Sequence, residues 1–129
     1  MLTRKDDAAY WIAVAALLGL MAVALGAIAS HALTDPQAIG AIEKAALYQL
    51  IHAVVLLFAV QLSGAAARWS RWLFLIGILL FCGSIEVKYL FDFRAATVVA
   101  PTGGVCLMLG WIMLGIAGFR NRLAQKNRT

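Results

Sequence analysis

The sequence predicts an all-α, polytopic membrane protein: a four-transmembrane-helix bundle with both termini on the cytoplasmic side. Three observations predict it. Mean hydropathy is +0.88, and 64% of residues are hydrophobic against 13% charged, where soluble domains are roughly half apolar and about a quarter charged. Four stretches, 8–30, 45–67, 72–85 and 95–119, contain no Asp, Glu, Lys or Arg. The charges gather in the joints between them, and unevenly. Arg4, Lys5, Arg68, Arg71, Arg120, Arg122, Lys126 and Arg128 fall at the end that four antiparallel spans share with the termini, while Lys44, Lys88 and Arg94 fall at the other. With Asp6 and Asp7 on the first side and Asp35, Glu43, Glu86 and Asp92 on the second, the ends carry +6 and −1. The positive-inside bias then places both termini in the cytoplasm, beside an anionic leaflet that favours the asymmetry.

A helix rises about 1.5 Å per residue and needs roughly 20 mostly apolar residues to cross a bilayer. On that measure the chain is one membrane domain, 1–129, with spans at about 8–33, 41–63, 72–91 and 98–119. Span one has Tyr10 and Trp11 at its cytoplasmic edge, where amphipathic rings prefer to sit. Its small residues recur every four positions, Ala15 and Gly19, then Ala22, Gly26 and Ser30, a pattern that lets another helix approach closely. Ala27-Ile28-Ala29 resembles a signal-cleavage site, but the apolar run before it exceeds a signal core, and Asp6 and Asp7 dilute the basic start.

Asp35 can cap helix two, with Pro36 suited to its first turn because the missing N–H would be unpaired there. The helix then runs from Pro36 toward Leu62. Ser63 to Trp72 reads as a tight inner joint with two Arg and two Trp at headgroup depth. Span three shows its most lipid-compatible face from Leu73 to Phe81. From Trp72 to Ile85 it measures only about 21 Å, so it must carry Glu86 and Lys88 onward to Phe91. Helix four begins near Pro101, or at Thr97 with a kink at the proline. Gly103, Gly110 and Ala117 recur every seven residues, and the expected bundle is held by small-residue contacts between helices one, two and four.

Ionisable groups at membrane depth are costly and face the bundle interior or water, so they are the places to look for function. Lys88 can snorkel outward and pair with Asp92, four residues on. Glu86 and His31 lie at similar depth and form a candidate pair closing the outer end; otherwise Glu86 reaches the headgroup water alone or is protonated by desolvation. Tyr48, Gln49 and His52 share one turn of helix two, as a proton relay or ligand on one reading and as interhelical packing on the other. His31 and His52 raise haem ligation, but their depths differ by about 7 Å, which does not suit two axial ligands of one iron. Cys82 and Cys106 lack any zinc or disulfide spacing and read as small apolar residues. No cofactor and no metal are expected, and the basic residues form no groove-sized patch for nucleic acid.

Gly26-Ala27-Ile28-Ala29-Ser30-His31-Ala32-Leu33, Tyr48-Gln49-Leu50-Ile51-His52-Ala53, Gly83-Ser84, and Pro101-Thr102-Gly103-Gly104 with Gly110-Trp111 together resemble the signature of the domain of unknown function 423 family. That group includes the YgdD-like bacterial proteins and is similar to the transmembrane protein 256 group. The resemblance covers roughly 8–119. It implies four transmembrane helices and a bacterial inner-membrane location, and it implies no activity. Where family members usually continue Gly-Ser-Leu-Tyr, this chain has Gly83-Ser84-Ile85-Glu86, a carboxylate in place of a phenol.

No Ser, Cys or carboxylate has a base at recognisable spacing, and no phosphate-binding loop is present. The expected function is therefore non-enzymatic: a small accessory or interaction subunit of a membrane complex, its partners the lipid bilayer and either itself or a larger assembly. The alternative is an oligomeric proton or small-solute carrier using His31, Tyr48, Gln49, His52 and Glu86. Below His52 only Gln61 and Ser63 are polar before the inner joint, a gap that favours the first.

Overall fold

The computed structural model describes residues 3–128. It consists of four antiparallel helices, α1 (Arg4–His31), α2 (Pro36–Gln61), α3 (Ala65–Phe91) and α4 (Ala100–Lys126), with a 3-10 segment, Arg94–Val99, before the last. Each is long and apolar enough to cross a membrane, α4 being counted with its 3-10 lead-in. The termini and the α2–α3 turn share one end of the bundle; the α1–α2 and α3–α4 connections share the other.

The helix limits follow local chemistry. At the start of α1 the Asp6 N–H donates to Thr3 Oγ1 at 3.3 Å and the Thr3 N–H donates back to Asp6 Oδ2 at 3.0 Å, a reciprocal cap for amides that have no helical partner. At α2 the Asp35 carboxylate accepts from the amides of Gln37 and Ala38 at 3.3 and 3.1 Å, with Pro36 in the first turn as expected. Between α2 and α3 the chain reverses within 62–64, and Gly64 takes φ +99°, a conformation that favours glycine. The expected joint from Ser63 to Trp72 is therefore much shorter. Ala65–Ala67 are strong helix formers, so Arg68, Trp69, Arg71 and Trp72 already lie on α3. At its far end α3 carries Glu86 and Lys88 and stops at Phe91, where Asp92 turns left-handed at φ 51°.

Packing joins α1 to α2, α2 to α3 and α3 to α4. The main core gathers Trp11, Ala15 and Leu18 from α1, Ala45, Ala53 and Leu56 from α2, Phe74, Ile78 and Cys82 from α3, and Leu107 from α4. The α1–α2 seam is built on alanines, with Ala15, Ala22 and Ala29 facing Ala38, Ala45, Ala46 and Ala53 as buried residues. The α3–α4 seam is built on glycines. A Cβ on Gly103 would fall on the backbone nitrogen of Phe81, one on Gly110 would lie 2.8 Å from Phe74 Cδ1, and one on Gly77 2.6 Å from Leu107 Cδ2.

Three expectations about faces are corrected. The heptad glycines of α4 meet α3, not helices one and two. Leu73–Phe81 is accordingly a lipid face only in part: Ile76 and Leu79 are exposed, but Phe74 and Ile78 are buried, and Phe74, Gly77 and Phe81 form the helical stripe onto which α4 fits. In α1 the alanines, not the glycines, meet α2. Gly19 and Gly26 have open space where a Cβ would sit, and Ser30 is exposed.

Candidate functional site

The deepest polar cluster lies at mid-height, where α2 touches both of its flanking neighbours. The helical period puts Tyr48 and His52 on one face, one turn apart, and Gln49 on the adjoining face. His52 is 5% exposed and Gln49 2%. Gln49 Nε2 donates to the backbone carbonyl of Leu18 at 2.9 Å and so ties α2 to α1. His52 ties α2 to α4: the indole Nε1–H of Trp111 donates to His52 Nε2 at 3.2 Å. An indole N–H can only donate, so Nε2 accepts, the ring hydrogen sits on Nδ1, and Nδ1–H donates to the Tyr48 carbonyl at 2.6 Å. Both ring nitrogens are engaged.

Aromatic rings close around this bond. The His52 ring centroid lies 6.2 Å from Tyr48, 5.6 Å from Phe74 and 6.0 Å from Trp111, and Phe74 meets Trp111 edge-on at 5.6 Å. Tyr48 itself is 47% exposed, and its ring meets Phe81 at a tilt, 5.6 Å between centroids. What the cluster does chemically is hold three helices in register. Interhelical hydrogen bonds of this kind contribute typically 0.6–2 kcal/mol in a membrane.

At the loop end the expected pairs do not form. His31 is exposed at the last turn of α1, whereas Glu86 points between α3 and α1, 8% exposed with Oε1 unpartnered among the described residues. Similar depth put the two at one level, but they lie at different angles around the bundle. Lys88 rests its ammonium over the Tyr89 ring at 4.7 Å; among the described residues it has no ion pair with Asp92, which has left the helix. Ser84 is buried and its hydroxyl donates to the Phe81 carbonyl at 2.9 Å, one turn back in its own helix. Pro101 lies in the exposed first turn of α4, and Gly104, unlike Gly103, only grazes Phe81.

Sequence reasoning missed two features at the termini end. Arg71, counted there as a headgroup cation, is buried: Nη2 pairs with Asp7 Oδ2 at 3.3 Å, Nη1 donates to the Ala59 carbonyl at 3.4 Å, and the guanidinium lies 5.6 Å from the Trp11 ring centroid. Asn121 joins α4 to the α2–α3 turn, its Nδ2 donating to Ser63 O at 2.9 Å and its Oδ1 accepting from Ser63 N at 3.2 Å. An Asp-Arg pair 64 residues apart carries no sequence signal. Among the described residues no group of three or more His, Cys, Asp or Glu is arranged to hold a metal ion.

Residues 25–104 match the family model described as a protein of unknown function, DUF423. The chain is similar to a UPF0382 membrane protein of Staphylococcus aureus (strain bovine RF122 / ET3-1), 35% identical over 116 residues that cover 85% of this chain and 95% of the relative. It is also similar to a UPF0382 membrane protein of Haemophilus influenzae, 37% identical over 122 residues, 87% of this chain and 95% of that one. A third, from Staphylococcus saprophyticus, is 34% identical with 85% and 97% covered. No solved structure matches the chain.

Proposed function

The chain belongs to the DUF423 family of UPF0382 membrane proteins, and from that premise we propose that it acts as a small non-enzymatic interaction subunit, docking in the bacterial inner membrane onto a larger complex or a second copy of itself. The carrying observation is the division of the glycines. Gly77, Gly103 and Gly110 are consumed inside the bundle, whereas Gly19 and Gly26 of α1 and Gly115 of α4 meet nothing within 4 Å. Glycine weakens an unpartnered helix and suits a close helix–helix approach. The outer face of α1 thus offers another helix the same kind of seam that α3 gives α4. A carrier reading is poorly supported, because His52 has both ring nitrogens engaged.

Replacing Gly19 and Gly26 together by leucine tests the reading. A Cβ at either position meets nothing within 4 Å in the monomer, and leucine is the better helix former, so the thermal unfolding of the isolated chain is expected not to fall, while recovery of its co-purifying membrane partner, or of the homo-oligomer, falls at least tenfold after mild-detergent extraction at native abundance. Undiminished recovery, or a wild-type chain that extracts alone as a monomer, would sink the proposal.

The same proposal places both termini in the cytoplasm, supported by the excess of basic residues at that end. In a chain with Cys82 and Cys106 replaced by alanine, a Thr34→Cys variant is expected to react with an impermeant maleimide in intact spheroplasts, and an Asn127→Cys variant only after permeabilisation. The reverse pattern would invert the topology.

A further inference from the structure

Between α1 and α3, on the side of the bundle away from α4, runs a cleft of about 380 Å³ whose walls include Leu17, Leu18, Met21, Leu79, Gly83 and Val87. Its size falls within the roughly 300–1,000 Å³ of small-molecule sites, and its walls are almost wholly hydrocarbon. Into this surrounding the sequence puts Glu86. Glu86 is 8% exposed, and its Oε1 is buried with no hydrogen-bond partner among the described residues.

A carboxylate at membrane depth ordinarily has a cation or several donors beside it. Here the available cations are turned elsewhere. Arg71, the buried cation of the same helix, is 15 residues away, about 22 Å along the axis, and is paired with Asp7. Lys88 lies over Tyr89, and His31 is exposed beyond the end of the cleft. Gln49, which also lines the cleft, gives an amide hydrogen to Leu18 and keeps its carbonyl oxygen as a second acceptor. The cleft therefore presents hydrogen-bond acceptors and one acidic group inside apolar walls, and it is complementary to a molecule with the opposite pattern.

We propose that the α1–α3 cleft binds a lipophilic amine, a compact apolar body carrying one protonated nitrogen, with its N–H donated to the Glu86 carboxylate. The apolar body replaces lipid against Leu17, Met21, Leu79 and Val87; the ammonium supplies the missing counter-charge. A second charge on the ligand would find nothing to pair with, so the site selects monocations. Gly83 sets the width of the opening, since nothing lies within 4 Å of where its Cβ would be. This site is independent of the glycine face of α1 assigned to a partner helix.

The probe is 9-aminoacridine, protonated at neutral pH, titrated by fluorescence into the full-length protein in a nonionic detergent, with its uncharged hydrocarbon counterpart anthracene as the comparison and empty micelles as the blank. Saturable binding of one 9-aminoacridine per chain is expected, at least tenfold tighter than anthracene. Glu86→Gln keeps the shape and removes the charge, and is expected to abolish that preference. Gly83→Leu keeps the charge and fills the opening, and is expected to weaken the amine at least tenfold. Equal affinity for amine and hydrocarbon in the wild-type chain overturns the proposal whatever the variants do. So does a Glu86→Gln protein of unchanged helicity that binds the amine as well as wild type.

Discussion

Gly103→Ala is expected to destabilise the bundle by roughly 1–3 kcal/mol, the cost of forcing extra volume into a close-packed seam. The added Cβ falls on the backbone of Phe81 and within 3 Å of Leu80; a backbone cannot rotate out of the way, so α3 and α4 must part. Parting them also loosens Gly110 from Phe74 and Leu107 from Gly77, contacts on the same seam. Gly104→Ala is the control. Its Cβ would stand 3.8 Å from Phe81 Cδ2, an ordinary contact, and it is expected to leave the bundle as stable or up to about 1 kcal/mol more so, since alanine is the better helix former. Thermal melts in detergent followed by far-ultraviolet circular dichroism measure both. Equal behaviour of the two neighbours would mean that the α3–α4 distance is not set by Gly103.

The second large effect is expected at His52. His52→Ala removes a ring that touches Tyr48, Phe74 and Trp111 and leaves the indole N–H of Trp111 without an acceptor. A loss of roughly 2–5 kcal/mol follows from the cavity alone. His52→Phe restores most of the ring contact but no acceptor, so its loss is expected to be smaller, about 0.6–2 kcal/mol, the range for an interhelical hydrogen bond in a membrane. Trp111→Phe is expected to match it. The double variant is expected to cost less than the two singles added, because both remove the same bond. Full additivity, read from the same melts, would show that the 3.2 Å contact contributes nothing to stability.

Helix number, the continuation of α3 to Phe91 and the Asp35-Pro36 start of α2 were legible because they depend on local composition and local hydrogen bonds. The seven-residue spacing of Gly103, Gly110 and Ala117 likewise marked a close-packed stripe. It did not name the helix that fills it, since periodicity along one helix carries no information about the angular position of the others. The same gap explains His31 and Glu86, which share a depth and point apart. His52 was visible as a polar residue in an apolar span, whereas its partner Trp111, 59 residues on, passed as part of a motif. Arg71 was hidden for a different reason: a basic residue near a span end reads as a headgroup anchor, and only the approach of Trp11, Ala59 and Asp7 takes it out of water.

The Asp7–Arg71 pair also constrains the order in which the molecule can be built. A chain emerging from its amino end delivers α1 and α2 first, and their alanine seam can close at once; Asp7 then waits, solvated at the membrane border, until 64 further residues have appeared. When α3 arrives, one arginine meets the start of α1 and the end of α2 together, through Asp7 and the Ala59 carbonyl. The contact thus works as a latch that can close only once α3 has been made. A chain lacking either charge would still insert its helices, but it would register the docking of the third beside the first at that border only through the edge-on rings of Trp11 and Trp72.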